Sequence, residues 1–402
     1  MGAKSGIEWT DATWNPVRAR LKSGSAVADD ARDLAAGVSK PGWHCEHVSE
    51  GCRNCYAEGI NKRLGTKLDF KPGHIGKIDI FLDGKLLTDP LRWKRPRSVF
   101  VSSMTDVFAD FVSDEMLDRM FAVMALCPQH FFRVLTKRPG RMRDYVSEAG
   151  TPGRIARAIL DMIIMDNRLA ALMGRDGWPV ASIGGDIDLP DDVTLARWPL
   201  PNVGLGVSVE DQASADARIP LLLDTRAAMR FVSAEPLLGG LDIRKYLRRL
   251  CDRCPPWEVP CQTGCEHYTR LDEVIAGGES GAQARPMHPE WARGLRDQCA
   301  AAGVPFFFKQ WGEWRLRPAA DGSEEWPAQW FGATPPKEGE IARMERVGKS
   351  AAGALLGGRE HREVAAQVRA HFERIGRAPA PNRLQRFDPP QGEGGMEEGE
   401  AG

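Results

Sequence analysis

The feature that most restricts the fold is a repeated alternation of short apolar runs with helix-forming segments. From about residue 98 onward, apolar runs of strand length recur, and each is followed by a cluster of polar residues. The runs are 98–101, 131–135, 203–207, 229–232, 274–276 and 305–308. Short continuous runs rich in β-branched or aromatic residues are typical of parallel strands that are buried on both faces.

Helical patterns occupy the intervals between these runs. Three of them are Asp114–Cys127, Gln212–Leu223 and Pro289–Ala302, and the first two start near Asp or Ser, which favour helix N-caps. Alternating strands and helices predict a parallel α/β architecture. Polar clusters at the strand ends favour a partial or full (β/α) barrel, and a doubly wound sheet is the second interpretation.

The chain of 402 residues is long enough for one barrel-sized domain with appendages. We expect a barrel domain with two insertions, then a C-terminal extension with one helix at about Arg359–Ile375, then a disordered acidic tail. The predicted bounds are 1–315 for the barrel domain, about 147–201 and 244–268 for its insertions, 316–376 for the extension and 377–402 for the tail. The first insertion contains an apolar helical pattern at Ile155–Met173.

Charge and hydropathy restrict the class of protein. The formal net charge is -1, so any contact with nucleic acid would have to come from local patches. The N-terminal residues have no apolar stretch typical of a signal peptide, and no apolar run approaches the roughly 18 residues that span a bilayer. We therefore expect a cytoplasmic protein without membrane contact. Thiols stay reduced there, so the 9 cysteines indicate metal or cluster ligands rather than disulfides.

Three of the cysteines form the first group. Cys45, Cys52 and Cys55 are separated by six and two residues. Three thiolates can hold a four-iron cluster and leave one iron unligated, and that iron could bind S-adenosylmethionine. A structural zinc ion with His44 or His47 as fourth ligand fits the spacing as well.

Four further cysteines form a second group within the predicted insertion at 244–268. Cys251, Cys254, Cys261 and Cys265 would complete a tetrahedral metal site, so structural zinc is the first interpretation and a second iron–sulfur cluster is the alternative. The remaining two, Cys127 and Cys299, lie alone in apolar helical patterns. We expect them to fill the core.

Polar residues at the strand ends would converge on one face of a barrel. They are Ser103, Thr105, Asp106, Thr136, Lys137, Ser208, Glu210, Ser233, Glu235, Glu279, Ser280, Lys309 and Gln310. About half of them are expected only to cap helices. The four carboxylates are the better candidates for ligand contacts, since a buried carboxylate needs a partner. The turn Gly277-Gly278-Glu279 is suited to a close approach of backbone and ligand.

Two basic stretches, 92–97 and 137–143, flank the first two predicted strands. Both mix cations with turn residues, and the first includes Trp93. They could bind a phosphate backbone, although solvated loops explain them equally well.

Several motifs resemble those of an uncharacterised family common in phages and prophages, which is named after phage gene products thirty-seven and sixty-eight. The resemblance rests on Gly6–Val17, Gly51–Glu58, Ser102–Asp106, Leu135–Pro139, Val203–Glu210, Ile275–Gly281, Ala284–His288, Gly303–Gly312 and Gly348–His361. It covers most of residues 6–362. Residues 18–42 and the four-cysteine group look like additions to the family's pattern.

The resemblance implies a cofactor and a partner. The family's three-cysteine motif is similar to that of radical S-adenosylmethionine enzymes, although their usual spacing is three and two residues. That similarity implies that Cys45, Cys52 and Cys55 hold a [4Fe–4S] cluster that binds S-adenosylmethionine. Genes of the family often neighbour a three-Cys-motif partner protein, which implies a protein partner.

The leading hypothesis is therefore a radical S-adenosylmethionine-type enzyme. It would generate a 5′-deoxyadenosyl radical that takes hydrogen from an unidentified substrate, with a nucleic-acid base as one candidate. Its predicted cofactor contacts are Asp106, Glu210, Glu235, Gly277, Gly278 and Glu279. The alternative is a non-catalytic, zinc-binding module that contacts nucleic acid or protein.

Overall fold

A computed structural model describes residues 7–22, 41–165, 178–182, 193–247, 270–316 and 344–376. The strands in these ranges are β1 (Ala12–Trp14), β2 (Val17–Leu21), β3 (Ile78–Leu82), β4 (Ser98–Val101), β5 (Phe131–Thr136), β6 (Val180–Ser182), β7 (Val193–Leu195), β8 (Val203–Ser208), β9 (Met229–Ala234), β10 (Glu273–Ala276), β11 (Phe306–Phe308), β12 (Trp314–Leu316) and β13 (Met344–Arg346). The helices are α1 (Tyr56–Leu64), α2 (Gly84–Leu87), α3 (Asp114–Leu126), α4 (Pro139–Ser147), α5 (Thr151–Met165), α6 (Gln212–Leu223), α7 (Arg244–Leu247), α8 (Pro289–Ala301), α9 (Lys349–Ala352) and α10 (Ala366–Arg374).

A parallel sheet of 7 strands forms the centre of the molecule, in the order β1-β4-β5-β8-β9-β10-β11. Each strand lies beside the next sheet strand along the chain, and the sheet curls into a half-barrel. The prediction of a partial barrel is therefore confirmed, and every predicted strand is present. The doubly wound alternative is wrong, because the strand order never reverses.

Helices α3, α6 and α8 begin where the sequence pattern predicts, because each has a local N-cap. The side chain of Ser113 accepts a hydrogen bond from the backbone N–H of Met116 before α3. Asp211 and Ser214 form a reciprocal capping box at α6. Buried residues of these helices pack with Val99, Val101 and other sheet residues in the larger apolar core.

The inner face of the half-barrel holds a second, aromatic core. Phe100, Phe131, Phe231 and Phe307 alternate along their strands with residues that belong to the larger core, as the twofold period of a strand requires. Strand β8 contributes Gly206 at this face. A Cβ at that position would lie 2.5 Å from the ring of Phe231, so the glycine makes room for the aromatic ring.

A buried ion pair lies within this aromatic core. The guanidinium of Arg133 on β5 donates to both carboxylate oxygens of Glu273 on β10, and both side chains are 0% exposed. The rings of Trp9 and Phe231 lie 5.6 and 5.7 Å from the guanidinium carbon. Glu273 also accepts a hydrogen bond of 2.7 Å from the backbone N–H of Ala365, the residue before α10.

The C-terminal extension closes the amino-terminal end of the half-barrel. Val368 and Phe372 of α10 join the aromatic core, and the His371 ring contacts Phe131, the first residue of β5. The predicted helix at about Arg359–Ile375 is shorter than expected, since residues 361 and 362 pair with β11 instead. Residues 317–343 of the predicted extension and the acidic tail at 377–402 lie outside the described residues.

The first predicted insertion contains α5, as its apolar pattern predicts, and the antiparallel pair β6–β7. The four cysteines of the second insertion lie outside the described residues. Within the ranges that are described, no helix is both long and apolar enough to cross a membrane.

The C-terminal helix is expected to make stability depend on pH. Burial, with a smaller contribution from Arg374, lowers the pKa of His371 to about 4. An unfolded histidine has a pKa near ~6.5, so as the pH falls from ~6.5 towards ~4 the unfolded chain binds a proton that the folded chain rejects. Stability should be lost in that window, by roughly 3 kcal/mol. We expect urea unfolding to show a smaller loss for His371→Phe than for wild type, and parallel losses would contradict this role for His371.

Candidate functional site

A cavity of about 450 Å³ lies at the carboxyl ends of the sheet strands. Its wall combines the loop that carries the first cysteine group with the segments that follow the strands. Every member of the predicted strand-end set lines it except Glu210, so the predicted convergence is present. Apolar side chains, among them Trp9, Phe100 and Leu135, make up much of the remaining wall.

Cys45, Cys52 and Cys55 all line this cavity and are partly exposed. Cys52 ends a short 3₁₀ helix, Glu50–Cys52, and Cys55 is the N-cap residue of α1. The backbone N–H of Cys55 donates to the carbonyl of Cys52 at 3.2 Å, which makes a tight turn between them. Cys127 and Cys299 are completely buried elsewhere, as predicted for core residues.

The local environment keeps two of the three thiols protonated. Burial raises the pKa of Cys45 to about 12, and the Asp106 carboxylate adds to the increase. Burial also raises the pKa of Cys55. A thiolate is the form that binds metal, so these residues need a bound positive charge in order to ionise at neutral pH.

The donor set fits some metal groups better than others. Among the described residues, no three His, Cys, Asp or Glu side chains converge tightly enough to hold one metal ion. A single zinc ion needs that convergence, since its Zn–S bonds are about 2.3 Å. In a four-iron cluster each thiolate binds a different iron, so three thiols that line one cavity need not converge on a single metal ion.

Neither predicted histidine ligand lines the cavity. The His44 ring is buried and packs against Phe111, with ring centroids 5.0 Å apart. His47 Nε2 lies 2.9 Å from a carboxylate oxygen of Glu58 on α1. Both rings are therefore engaged by residues outside the cavity lining or on α1, and neither is placed as a metal ligand in the cavity.

A set of polar contacts fastens the cysteine loop to the segment after β10. Arg285 Nη2 and Nε donate to the two carboxylate oxygens of Glu279, at 2.7 and 2.9 Å. Arg285 also donates to the carbonyl of Glu50 at 3.0 Å, and Asn54 donates to Glu279 at 3.0 Å. We call these four residues the loop clasp. Glu279 thus positions the segment between Cys45 and Cys55.

The clasp and its ion pair explain the electrostatics of Glu279. Burial opposes ionisation of this side chain, which is 5% exposed, but hydrogen bonds from Arg285 and Asn54 outweigh it and lower the pKa. The adjacent Gly278 lies against the carbonyl of Trp311, where a Cβ would collide with backbone. Gly277 packs in the same way against Glu235. The two glycines were predicted to let the backbone approach a ligand. Their lack of a side chain instead allows close packing against other residues of the protein.

Asp106 joins the ends of β4 and β5. Its carboxylate accepts hydrogen bonds from Thr136 Oγ1 at 2.7 Å, the Lys137 backbone at 2.9 Å and Arg138 at 3.1 Å. The backbone N–H of Phe108 donates as well, at 3.0 Å. Asp106 lines the cavity as predicted, but most of its acceptor capacity is used by these protein contacts.

Glu210 lies behind the cavity wall. It accepts from Arg218 at 2.9 Å and forms an ion pair with Lys137 at 3.3 Å. Burial raises its pKa, but Lys137, Ser49 and Arg218 outweigh burial and leave the pKa lowered. Gly51 of the cysteine loop packs directly against this carboxylate. The predicted cofactor contact at Glu210 is thus a support for the wall.

Glu235 and Lys309 form the ion pair that faces the cavity. Lys309 Nζ lies 2.9 Å from Glu235 Oε1, while Ser233 and Trp9 donate to Oε2 at 3.1 and 3.3 Å. Burial lowers the pKa of Lys309, but the carboxylates of Glu235 and Glu8 outweigh this and raise it. Lys309 is therefore a cation at neutral pH, and it lines the cavity together with Glu235.

Several cations of the two basic stretches contact other groups of the protein, although Arg92, Lys94 and Arg95 are exposed. In the second stretch, Arg138 pairs with Asp106, and Arg141 donates to the carbonyl of Val112. In the first stretch, Arg92 pairs with Asp89, and Arg97 lies over the Trp93 ring at 4.8 Å. Most of the second stretch is the start of α4 rather than a solvated loop, and contact of either stretch with nucleic acid stays a prediction.

Some cavity residues were not among the predicted contacts. The Tyr56 hydroxyl donates to the carbonyl of Ser103 at 2.7 Å, which links α1 to the loop after β4. Its position directly after Cys55 is the sequence signal that could have identified it. Ser102 has no such signal, because its backbone angle φ of 55° is a property of the folded loop.

The fold and the cavity define an α/β half-barrel protein with a three-cysteine site at the carboxyl ends of its strands. A family model described as "Protein of unknown function (DUF5131)" matches residues 36–365. The chain belongs to this family. No curated protein and no solved structure matches it.

Proposed function

We propose that this protein is a radical S-adenosylmethionine-type iron–sulfur enzyme. Cys45, Cys52 and Cys55 would hold a [4Fe–4S] cluster at the mouth of the half-barrel. The observation that carries the proposal is that these three thiols line one cavity of about 450 Å³ together with the polar strand ends. Sites of this kind are built at the carboxyl ends of parallel strands.

The bound group would supply the radical chemistry, in the form of a 5′-deoxyadenosyl radical made from S-adenosylmethionine. The chain's own residues would bind this ligand, orient it and shield it from solvent. Trp9, Phe100 and Leu135 offer an apolar surface for a flat ring system. The same walls exclude water from the reacting atoms.

Some charged residues of the site would contact the ligand, and others would hold the surrounding loops in position. Glu235 and Lys309 face the cavity as a paired acid and base, and they can exchange hydrogen bonds with a polar ligand. Asp106, Glu210 and Glu279 are held by protein donors, so they would position the loops that bear the cysteines. The three-Cys-motif partner protein and the nucleic-acid substrate stay predictions.

The test is the iron and acid-labile sulfide content of anaerobically purified protein. Wild type is expected to be brown, and a Cys45→Ala/Cys52→Ala/Cys55→Ala variant should lose the colour, iron and sulfide. Cys127→Ala/Cys299→Ala is the matched control, since both thiols are buried in the core, and it should keep them.

Other outcomes have separate meanings. Iron that persists in the triple variant would assign the cluster to the group Cys251, Cys254, Cys261 and Cys265. Colourless protein that contains only zinc would support the interaction module. Iron-loaded wild type that does not consume S-adenosylmethionine under reducing conditions would contradict the proposed reaction.

A further inference from the structure

The loop Ser102–Asp106 contains two buried hydroxyls that have no hydrogen-bond partner among the described residues. They are Ser102 Oγ and Thr105 Oγ1. Ser102 is 6% exposed and Thr105 is 5% exposed, and both line the cavity. A buried polar group without a partner is costly, so an unpaired hydroxyl at a cavity wall indicates a group that a ligand satisfies.

Other polar groups of this loop are already engaged. The backbone N–H of Ser102 donates to Trp14 at 2.7 Å. Asn15 accepts from the hydroxyl of Ser103 at 3.3 Å and from the backbone of Met104 at 3.1 Å. Asp106 accepts from several donors. The loop is therefore fixed in place while the hydroxyls of Ser102 and Thr105 are left for the cavity.

The backbone of Ser102 gives independent support. Its φ of 55° lies in the left-handed region, which a serine seldom adopts. Residues held in such conformations cluster at ligand sites, where the surrounding contacts impose the geometry. Ser102 therefore combines a strained backbone with a hydroxyl that has no partner among the described residues.

We propose that Ser102 and Thr105 donate hydrogen bonds to the carboxylate of an α-amino acid group in the bound ligand. The proposal rests on the proposed function, in which that ligand is S-adenosylmethionine. The position fits, because Thr105 precedes Asp106, whose backbone N–H contacts Cys45. The amino-acid end of the ligand would bind beside the cysteines. Hydroxyls that lack an acceptor in the protein suit an anionic oxygen there.

The test compares S-adenosylmethionine with its decarboxylated form, which lacks only the carboxylate. Dissociation constants are measured by calorimetry on iron-loaded wild type, Ser102→Ala, Thr105→Val and the control Ser103→Ala, whose hydroxyl is already bound to Asn15. Each of the first two variants should bind S-adenosylmethionine about tenfold more weakly. Both should bind the decarboxylated ligand as wild type does. The control Ser103→Ala should bind both ligands as wild type does. Ser102→Gly, which relieves the backbone strain, should lose affinity as Ser102→Ala does.

Two results would overturn the inference alone. The first is that Ser102→Ala and Thr105→Val both bind S-adenosylmethionine as tightly as wild type does. The second is that each variant loses affinity equally for S-adenosylmethionine and for its decarboxylated form. Wild-type protein that carries iron but binds neither ligand would overturn the cofactor assignment and this inference together. Since wild type is measured first, the two failures are distinguishable.

Discussion

Glu273→Ala is expected to lower the free energy of unfolding by about 3–5 kcal/mol. The reason is that the Arg133 guanidinium is 0% exposed and would be left buried without its carboxylate partner. Removal of one partner from a buried ion pair costs much more than the pair itself contributes. The backbone N–H of Ala365 would also lose its acceptor.

Urea unfolding and hydrogen exchange measure the two consequences. We expect a lower midpoint of unfolding, together with weaker protection in α10, because Ala365 leads into that helix. Glu273→Gln keeps an acceptor and most of the shape, so its loss should be smaller. The double variant Arg133→Met/Glu273→Leu should recover much of the stability, as apolar replacements of buried pairs often do. A loss below about 1 kcal/mol for Glu273→Ala would mean that water reaches Arg133.

The strands of the half-barrel are predictable because their signal is local. Each predicted run is mainly apolar and ends at polar residues, and the strands of the parallel sheet after residue 97 follow those runs closely. The short antiparallel pairs β6–β7 and β12–β13 match no predicted run. Strand β1 escapes prediction because Ala12–Trp14 has only 3 residues. Its identity as a strand depends on pairing with Val99–Val101, which lie more than eighty residues along the chain.

The first residue of a helix can likewise be set by its own sequence or by contacts with distant residues. Helices α3 and α6 have caps within their own sequence, and their predicted starts are correct. The start of α10 is later than predicted, because the carbonyl of His361 accepts from Phe308 and Arg362 donates to the same strand. Tertiary pairing with β11 thus overrides the local helical pattern.

The convergence of the site follows from topology, but the role of each carboxylate does not. Parallel strands bring their carboxyl ends together, so the cavity lining could be predicted. Whether a carboxylate faces the ligand depends on partners from other elements. Arg218 on α6 draws Glu210 into the wall, while Lys309 after β11 leaves Glu235 at the cavity. These pairings become visible only in the folded chain.

The loop clasp is the second large effect that we expect. Arg285→Ala would leave the nearly buried carboxylate of Glu279 without its bidentate partner, and the cysteine loop would lose its contacts at Glu50. The loss of a charge-assisted pair of this kind is about 2 kcal/mol, which corresponds to about thirtyfold easier opening of the loop. The cysteine loop should therefore open far more often than the rest of the protein.

Thiol alkylation of reduced, metal-free protein, followed by mass spectrometry, measures that opening residue by residue. We expect Cys52 and Cys55 to react about thirtyfold faster in Arg285→Ala, whereas the buried Cys127 and Cys299 should stay protected. Arg285→Lys keeps the charge but not the planar fork, so an intermediate rate is expected. Arg244→Ala removes a surface ion pair with Asp242 and should have no effect on the alkylation rates.

Faster reaction of all four thiols would instead indicate global unfolding. An unchanged rate at Cys52 and Cys55 would show that the loop is held without the clasp. Because the measurement needs no bound metal, it tests the positioning of the cysteines separately from the identity of the group that they hold.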